Sequence, residues 1–182
     1  MAIQPGPGQG ISERDLTLRD GRTVHLRAMA PADEAEILQA FERLSDEARY
    51  MRFMRIVNAP DQDRLRAALA SFPEAGIGLV ATVPAEDGLD IVGSAIAVFS
   101  VDRTSCEFAI TVASGFGGVG LAKALMTALI DEARRRGLAE MEGFVLSQNR
   151  AMLGLAKRLG FSIAYEPGDA SVRICRLALN PS

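Results

Sequence analysis

The stretch GFGGVGLAKAL, residues 115–125, decides the fold of this 182-residue chain. Its first six residues match G-x-G-x-x-G, the dinucleotide fingerprint. The β-rich run SCEFAITV precedes it at 105–112, and apolar residues follow it at helical spacing. A strand that enters a helix through several glycines exposes backbone N–H groups, so the stretch predicts an anion site. A plain strand-to-helix turn is the alternative.

The surroundings of these glycines do not fit an NAD-binding domain. Such a domain needs an acid at the end of the next strand, about 20 residues further on. Glu140 and Glu142 fall near that distance, but they precede the strand predicted at 143–147. A hairpin precedes the glycines, and only a helix and a hairpin follow Asn149. The match to the dinucleotide fingerprint is therefore interpreted as a coincidence.

Hydrophobic periodicity along the chain predicts a mixed α+β domain without a regular βα alternation. Residues 1–15, which are rich in Gly and Pro, are predicted to be a disordered lead-in, and residues 16–182 a single domain. The predicted helices begin near Pro31, after Ser45, after Asp61 or Asp63, after Gly120 and after Asn149. The predicted strands lie at 23–29, 76–83, 91–100, 105–112, 143–147, and in two runs near the C-terminus.

Composition excludes several classes of protein. The net charge of −3 argues against binding to duplex DNA, so no nucleic-acid partner is expected. Cys106 and Cys175 have no zinc spacing, and the chain has one histidine, so no metal is expected. No apolar run approaches a membrane span of about 20 residues. The chain is expected to be cytoplasmic, without a membrane partner, and either a monomer or a homodimer.

The chain resembles the GNAT superfamily of N-acetyltransferases. The family's Gln/Arg-x-x-Gly-x-Gly/Ala motif corresponds here to residues 117–122, and Asn149 through Gly160 and Phe161 resembles a second landmark. The stretches LRDGRTVHLRAMAPADE, RLSDEARYMRF and CEFAITVA are similar to the Pat-type protein lysine acetyltransferases. The resemblance implies a largely antiparallel, twisted sheet of about six to seven strands with helices on both faces. Its fourth and fifth strands would be parallel and splayed apart.

The same resemblance implies acetyl-CoA as cosubstrate and names the residues that would hold it. The backbone of Val112 and Ala113 would pair with the pantetheine arm, and Lys123 could add a charge near the phosphates. Asn149 would hydrogen-bond the pantetheine arm or a catalytic water, although a helix N-cap explains an Asn there equally well. The amides cradling the pyrophosphate would be those of Gly117, Gly118, Val119, Gly120, Leu121 and Ala122.

Three positions depart from the family pattern. Gly117 replaces the Gln or Arg that opens the motif, and Val119 replaces a residue that is commonly basic, so two phosphate partners are missing. Ala156 occupies the position at which many members have a tyrosine as general acid. A CoA thiolate is already a good leaving group, so catalysis does not require that acid.

Glu107 is the candidate general base, because an amine must be neutral to attack a thioester. It lies in the middle of a strand with two largely apolar faces, which predicts a raised pKa. The resemblance implies the same role, while a solvated carboxylate on an edge strand is the alternative. Cys106 points the opposite way and is interpreted as a buried apolar residue.

The leading hypothesis is an acetyl-CoA-dependent N-acetyltransferase in which a primary amine attacks the thioester directly, with Glu107 as base. By resemblance the acceptor is a protein lysine, and Tyr50, Arg52 and Phe53 sit in the helical region that lines the acceptor cleft, although core packing explains Phe53 equally well. A small-amine acetyltransferase is one alternative. A non-catalytic acyl-CoA-binding or sensing module is the other, motivated by the departures at Gly117, Val119 and Ala156.

Overall fold

The computed structural model describes residues 11–180, and its largest element is an eight-stranded sheet in the order β1-β2-β3-β4-β5-β6-β8-β7. All neighbouring strands are antiparallel except β5 and β6. The strands are β1 (Arg14–Thr17), β2 (Thr23–Ala28), β3 (Gly76–Ala85), β4 (Gly88–Phe99), β5 (Ser105–Val112), β6 (Glu140–Leu146), β7 (Ser162–Glu166) and β8 (Asp169–Ala178).

Five α-helices accompany the sheet in the described part of the chain, and a 3-10 helix at Pro31–Asp33 leads into the first of them. Helix α4 packs on β3, β4 and β5, whereas α1 contacts β4 and α2 contacts β5. The helices are α1 (Glu34–Glu42), α2 (Asp46–Phe53), α3 (Gln62–Ser71), α4 (Leu121–Arg135) and α5 (Arg150–Arg158). The predicted mixed fold is confirmed.

The sheet has one strand more than the predicted six to seven, and the additional strand is β1. It contains RDLT, in which Leu16 is the only apolar residue, so no hydrophobic alternation marks it. Arg14 and Asp15 fall in the predicted lead-in but belong to this strand, whose main-chain hydrogen bonds to β2 do not depend on apolar side chains. Residues 1–10 of that lead-in lie outside the described residues.

Strand β6 begins at Glu140, three positions earlier than the predicted start at 143. The side chains at this start already alternate between the two faces of the sheet, because Met141 is fully buried while Glu140 is exposed and Glu142 is half-buried. The prediction that Glu140 and Glu142 precede the strand is therefore wrong, because both lie in the first half of β6. This shift brings Glu142 beside the candidate base.

The helix boundaries follow the predicted capping residues. The Ser45 hydroxyl accepts from the Ala48 amide at 3.1 Å, and the Asp61 carboxylate accepts from the Arg64 amide at 3.0 Å. Gly137, just beyond α4, has a φ of 78° that suits a glycine C-cap. Helix α4 buries a continuous apolar stripe against the sheet, and each such side chain contributes about 1.5–3 kcal/mol on burial. The stripe comprises Leu121, Leu125, Met126, Leu129, Ile130 and Ala133.

The parallel pair of β5 and β6 is short, and this shortness creates the cleft. Only Ser105, Cys106 and Glu107 of β5 are paired with β6, and beyond Glu107 the two strands diverge. The Phe108 ring packs at the divergence against Gly143, where a Cβ would overlap the ring. Phe108 also meets Phe161 edge-to-face, with ring centroids 5.4 Å apart. The predicted splayed parallel strands are confirmed.

Candidate active site

A cleft of about 640 Å³ opens where β5 and β6 diverge, and α2, the start of α4, and α5 form its walls. Most of the residues predicted from the sequence line this cleft: Glu107, Val112, Gly117, Gly118, Gly120, Ala122, Lys123 and Asn149. Three predicted residues lie outside its lining. Leu121 is buried in the core, and Val119 and Ala113 direct their backbone groups elsewhere.

Backbone register shows which amides of β5 face the opening. The Ala113 amide donates to the Val92 carbonyl at 2.9 Å, and the Ser100 amide donates to the Ser105 carbonyl at 2.9 Å. Because alternate residues of an antiparallel pair exchange hydrogen bonds, odd-numbered residues of β5 bond to β4. The N–H and C=O groups of Ile110 and Val112 therefore face the cleft. The Ala113 amide is committed to β4, which favours Ile110 in its place.

The glycine-rich loop leads directly into the N-terminus of α4. Gly118 has a φ of 72° and Gly120 a φ of 94°, a region that glycine adopts readily and other residues rarely do. Gly120 is the N-cap and no side chain caps the helix, so the first helical amides keep their donors. A Cβ placed on Gly117 or Gly118 would meet no atom within 4 Å. This open loop fits a pyrophosphate against the helix N-terminus.

The turn between β1 and β2 braces this loop. The Arg19 amide donates to the Val119 carbonyl at 3.1 Å, and the Arg22 guanidinium donates to the Gly115 carbonyl at 2.5 Å. Arg22 also lies 3.9 Å from the centroid of the Phe116 ring. The Arg19 side chain lines the cleft beside Gly120, so a guanidinium stands near the loop that lacks its usual Gln or Arg. Sequence reasoning missed Arg19, because the two segments are about a hundred residues apart and meet only in the folded chain.

Glu107 extends into the cleft from β5, an internal strand, so the edge-strand alternative does not apply. Its side chain is still exposed, yet its surroundings raise its pKa, chiefly by burial and also through the charge of Glu142. Arg52 acts in the opposite direction. Glu142 lies directly opposite Glu107 in the parallel register and pairs with Arg176 at 3.2 Å. The predicted raised pKa of Glu107 is confirmed.

Asn149 caps α5, because its side-chain oxygen accepts from the Met152 amide at 3.2 Å. The side chain also lines the cleft, and its amide nitrogen keeps two donors. Ala156 is fully buried in α5. Within residues 11–180, neither Tyr50 nor Tyr165 lines the cleft. The described cleft thus offers no tyrosine as general acid.

The cleft has a strongly cationic lining that the net charge conceals. Glu107 is the single acidic residue among its described lining residues, and no described carboxylate forms an ion pair with any of the seven cations there. These cations are Arg19, Arg52, Arg55, Arg64, Lys123, Arg150 and Arg158. Such a lining attracts anions and suits a phosphorylated ligand.

Other candidate chemistries find little support in the described residues. Cys106 is 2% exposed, and burial raises the pKa of its thiol to about 12, which suppresses the nucleophilic thiolate. Between residues 11 and 180 no three His, Cys, Asp or Glu side chains cluster as metal ligands would. No helix in that span has the length and apolar character to cross a membrane.

These features together define the class of the protein as an acetyl-CoA-dependent N-acetyltransferase. They are a sheet split between β5 and β6, a helix N-terminus without a side-chain cap beneath open glycines, and a carboxylate at the split. A sequence profile of the acetyltransferase (GNAT) domain matches residues 23–162. An acetyltransferase of Pseudomonas aeruginosa is 33% identical over 163 residues, which cover 90% of this chain and 88% of the relative. The chain belongs to the GNAT acetyltransferase family, whose members take the acetyl group from acetyl-CoA.

Solved structures show the same fold. The GNAT domain of S. lividans PAT superimposes with a TM-score of 0.81 at 22% identity, covering 91% of this chain and 96% of that domain. An acetyltransferase from Salmonella typhimurium, solved with acetyl-CoA, gives a TM-score of 0.65 at 26% identity. That match covers 87% of this chain and 95% of the other.

Proposed function

We propose that Glu107 is the general base that deprotonates the acceptor amine in the cleft. A lysine-type amine, with a pKa of about 10.4, is mostly protonated at pH 7, so a base near the reacting atoms accelerates transfer. The raised pKa of Glu107 brings it closer to the working pH, which favours proton transfer. The single observation that supports this role is the position of Glu107 at the divergence of β5 and β6.

The residues that would hold acetyl-CoA are the cleft-facing amides and the cations around the glycine loop. Backbone groups of Ile110 and Val112 would bond the pantetheine amides, and the loop amides with Arg19 and Lys123 would bind the pyrophosphate. Asn149 would add a side-chain donor. When bound, acetyl-CoA supplies a thioester carbonyl that the amine attacks, with release of the CoA thiolate. We propose no side-chain acid for that release.

Two classes of acceptor are compatible with an amine-acetylating site. A protein lysine, implied by the Pat-like stretches, stays a prediction. A small amine is favoured by a second relationship, because an L-methionine sulfoximine/L-methionine sulfone acetyltransferase from Salmonella typhimurium is 35% identical over 74 residues. That match covers 41% of this chain and 43% of the relative.

The test of the base is Glu107→Gln, which keeps the side-chain shape and removes the titratable carboxylate. We expect kcat at pH 7 to fall about 100-fold or more, with the Kd for acetyl-CoA unchanged within about twofold. Glu140→Gln is the matched control, because Glu140 is exposed on β6 and does not line the cleft. Steady-state CoA release and calorimetric binding give the two quantities. Wild-type turnover by the Glu107→Gln variant would refute the role.

A further inference from the structure

Arg52, in the last turn of α2, is a half-buried guanidinium without an anionic partner in the described chain. It lines the cleft and forms no hydrogen bond or ion pair with any described residue, and its guanidinium carbon lies 4.7 Å from the centroid of the Phe53 ring. Burial lowers the pKa of Arg52, and the charge of Glu107 acts in the opposite direction. Such a group gains free energy from an anion that binds beside it.

Other partly buried arginines of this protein have their donors satisfied. Arg27 makes a bidentate pair with Asp33 at 2.7 and 2.8 Å. Arg49 donates to the carbonyls of Phe41 and Glu42 at 3.3 and 3.0 Å. Arg52 therefore differs from comparable residues in the same fold. Arg52 lines the cleft without such a protein partner, so a bound ligand is the partner that its donors fit.

The position of Arg52 separates it from the site for the CoA phosphates. Arg52 and Glu107 influence each other's pKa, although they form no ion pair. Glu107 lies five positions before Val112, which is about 16 Å along an extended strand. The glycine loop begins beyond Val112. The anion that reaches Arg52 therefore belongs to the acceptor end of the cleft.

The cleft lining thus includes one carboxylate, Glu107, within electrostatic reach of Arg52, and the exposed Arg55 and Arg64 line the same cleft. A zwitterion is complementary to this arrangement, since its ammonium faces Glu107 and its carboxylate faces Arg52. A lysine side chain brings only an ammonium, and it would leave Arg52 unsatisfied.

We propose that Arg52 binds a carboxylate of the acceptor, so that the acceptor is a small amine of the amino-acid class. This inference deepens the proposed function, because it assumes that Glu107 marks the place of the amine. Arg52 is a specificity-determining residue in this arrangement, and Glu107 remains the base.

The test compares acceptors that differ only in the carboxylate. Wild-type enzyme and acetyl-CoA are assayed with the common free amino acids, with their carboxamides, and with an N-terminally blocked lysine peptide amide. We expect the best free amino acid to exceed its carboxamide about 30-fold in kcat/KM. Arg52→Gln should remove most of this difference and change turnover of the carboxamide less than about threefold. Lys157→Gln is the charge-matched control, because Lys157 is exposed on α5 outside the cleft lining.

Equal use of acid and carboxamide by the wild type would overturn the inference, and so would the lysine peptide as best acceptor. Both outcomes leave the proposed function standing. Binding of the same pairs to the CoA-loaded Glu107→Gln variant gives a readout that needs no turnover. If Glu107→Gln keeps wild-type turnover while the preference for the acid persists and is lost with Arg52→Gln, the proposed base fails and the inference stands. If the variant binds acid and carboxamide alike, the inference fails.

Discussion

Glu142 affects the pKa of Glu107 although it does not line the cleft. Its carboxylate lies opposite Glu107 in the parallel register, and its charge contributes to the raised pKa of Glu107. Arg176 binds Glu142 at 3.2 Å and holds this second carboxylate in place. We infer that Glu142 is a positioning residue that acts through the protonation of Glu107.

Glu142→Gln should move the acid limb of the pH–kcat profile to lower pH. Removal of the neighbouring negative charge, with Arg176 left unpaired, lowers the pKa of Glu107, so the base stays ionised in more acidic solution. The rate at pH 9, where Glu107 is already ionised, should change less than about twofold. A pH profile from pH 5 to 9 measures both effects, with Glu140→Gln as the control. An unmoved acid limb would show that Glu142 has no influence on the base.

At the residue scale, the sequence predicted Glu107 and Asn149 because each has a local signal. A carboxylate in the middle of an apolar strand is unusual, and an Asn before a helix is a recognised cap. Arg52 and Glu142 had no such signal. Their importance depends on which charges lie near them across the sheet and helix layers, and linear order does not contain that information.

At the element scale, the turn at residues 18–22 and the glycine loop form one braced unit. Three contacts join them, namely the Arg19 amide to Val119, the Arg22 guanidinium to Gly115, and Arg22 to the Phe116 ring. The motif has Gly117 at the position of the family's Gln or Arg. Arg19 of the turn places a guanidinium beside the same loop. The contact between the two segments exists only in the folded chain, and the linear order of the residues gives no signal for it.

Arg19→Gln should weaken acetyl-CoA binding about tenfold at low ionic strength. The variant loses a charge beside the loop but keeps the main-chain bond to Val119, and a charge contribution of this kind is screened by salt. The deficit should shrink in 0.5 M NaCl, which titration calorimetry at two salt concentrations measures. Arg14→Gln is the control, since Arg14 is an exposed cation on β1 outside the cleft lining. Equal Kd values for wild type and Arg19→Gln would exclude Arg19 from the phosphate site.

Across the whole molecule, charge is distributed very unevenly. A chain with a net charge of −3 concentrates seven cations around one cleft. Acids elsewhere are engaged structurally, as in the buried Asp33, which holds Arg27 of β2 against the start of the helical layer. The net charge gives no sign of this concentration of cations, because tertiary folding brings together charges that are distant in the sequence.

Asp33→Asn should destabilise the protein by about 2–3 kcal/mol at pH 7, because it leaves the Arg27 guanidinium half-buried and unpaired. Burial by itself would raise the pKa of Asp33. Hydrogen bonds from Arg27 and the Ala30 amide outweigh burial, and they hold the pKa of Asp33 below its ordinary value. A lowered carboxyl pKa stabilises the fold above the unfolded-state value, and this contribution is lost as the pH falls through the folded-state pKa.

The difference in unfolding free energy between wild type and Asp33→Asn should therefore shrink below about pH 4. Urea denaturation at pH 7 and pH 3 measures it, with Asp87→Asn as a control at an exposed hairpin position. The assigned role of the Arg27–Asp33 ion pair would be contradicted if this difference in unfolding free energy were equal at both pH values. A difference no larger than that caused by Asp87→Asn would contradict it as well.

The short pairing of β5 with β6 has one more consequence, which concerns aggregation. Unpaired strand edges invite pairing with other chains, and proteins usually protect the outer edges of their sheets. Here the cleft-facing groups of Ile110 and Val112 form an open edge in the middle of the sheet, within walls from α2, α4 and α5. Those walls flank the open edge and hinder its pairing with the strand of another chain. The fold can thus keep this edge permanently open without the hazard that an open edge normally brings.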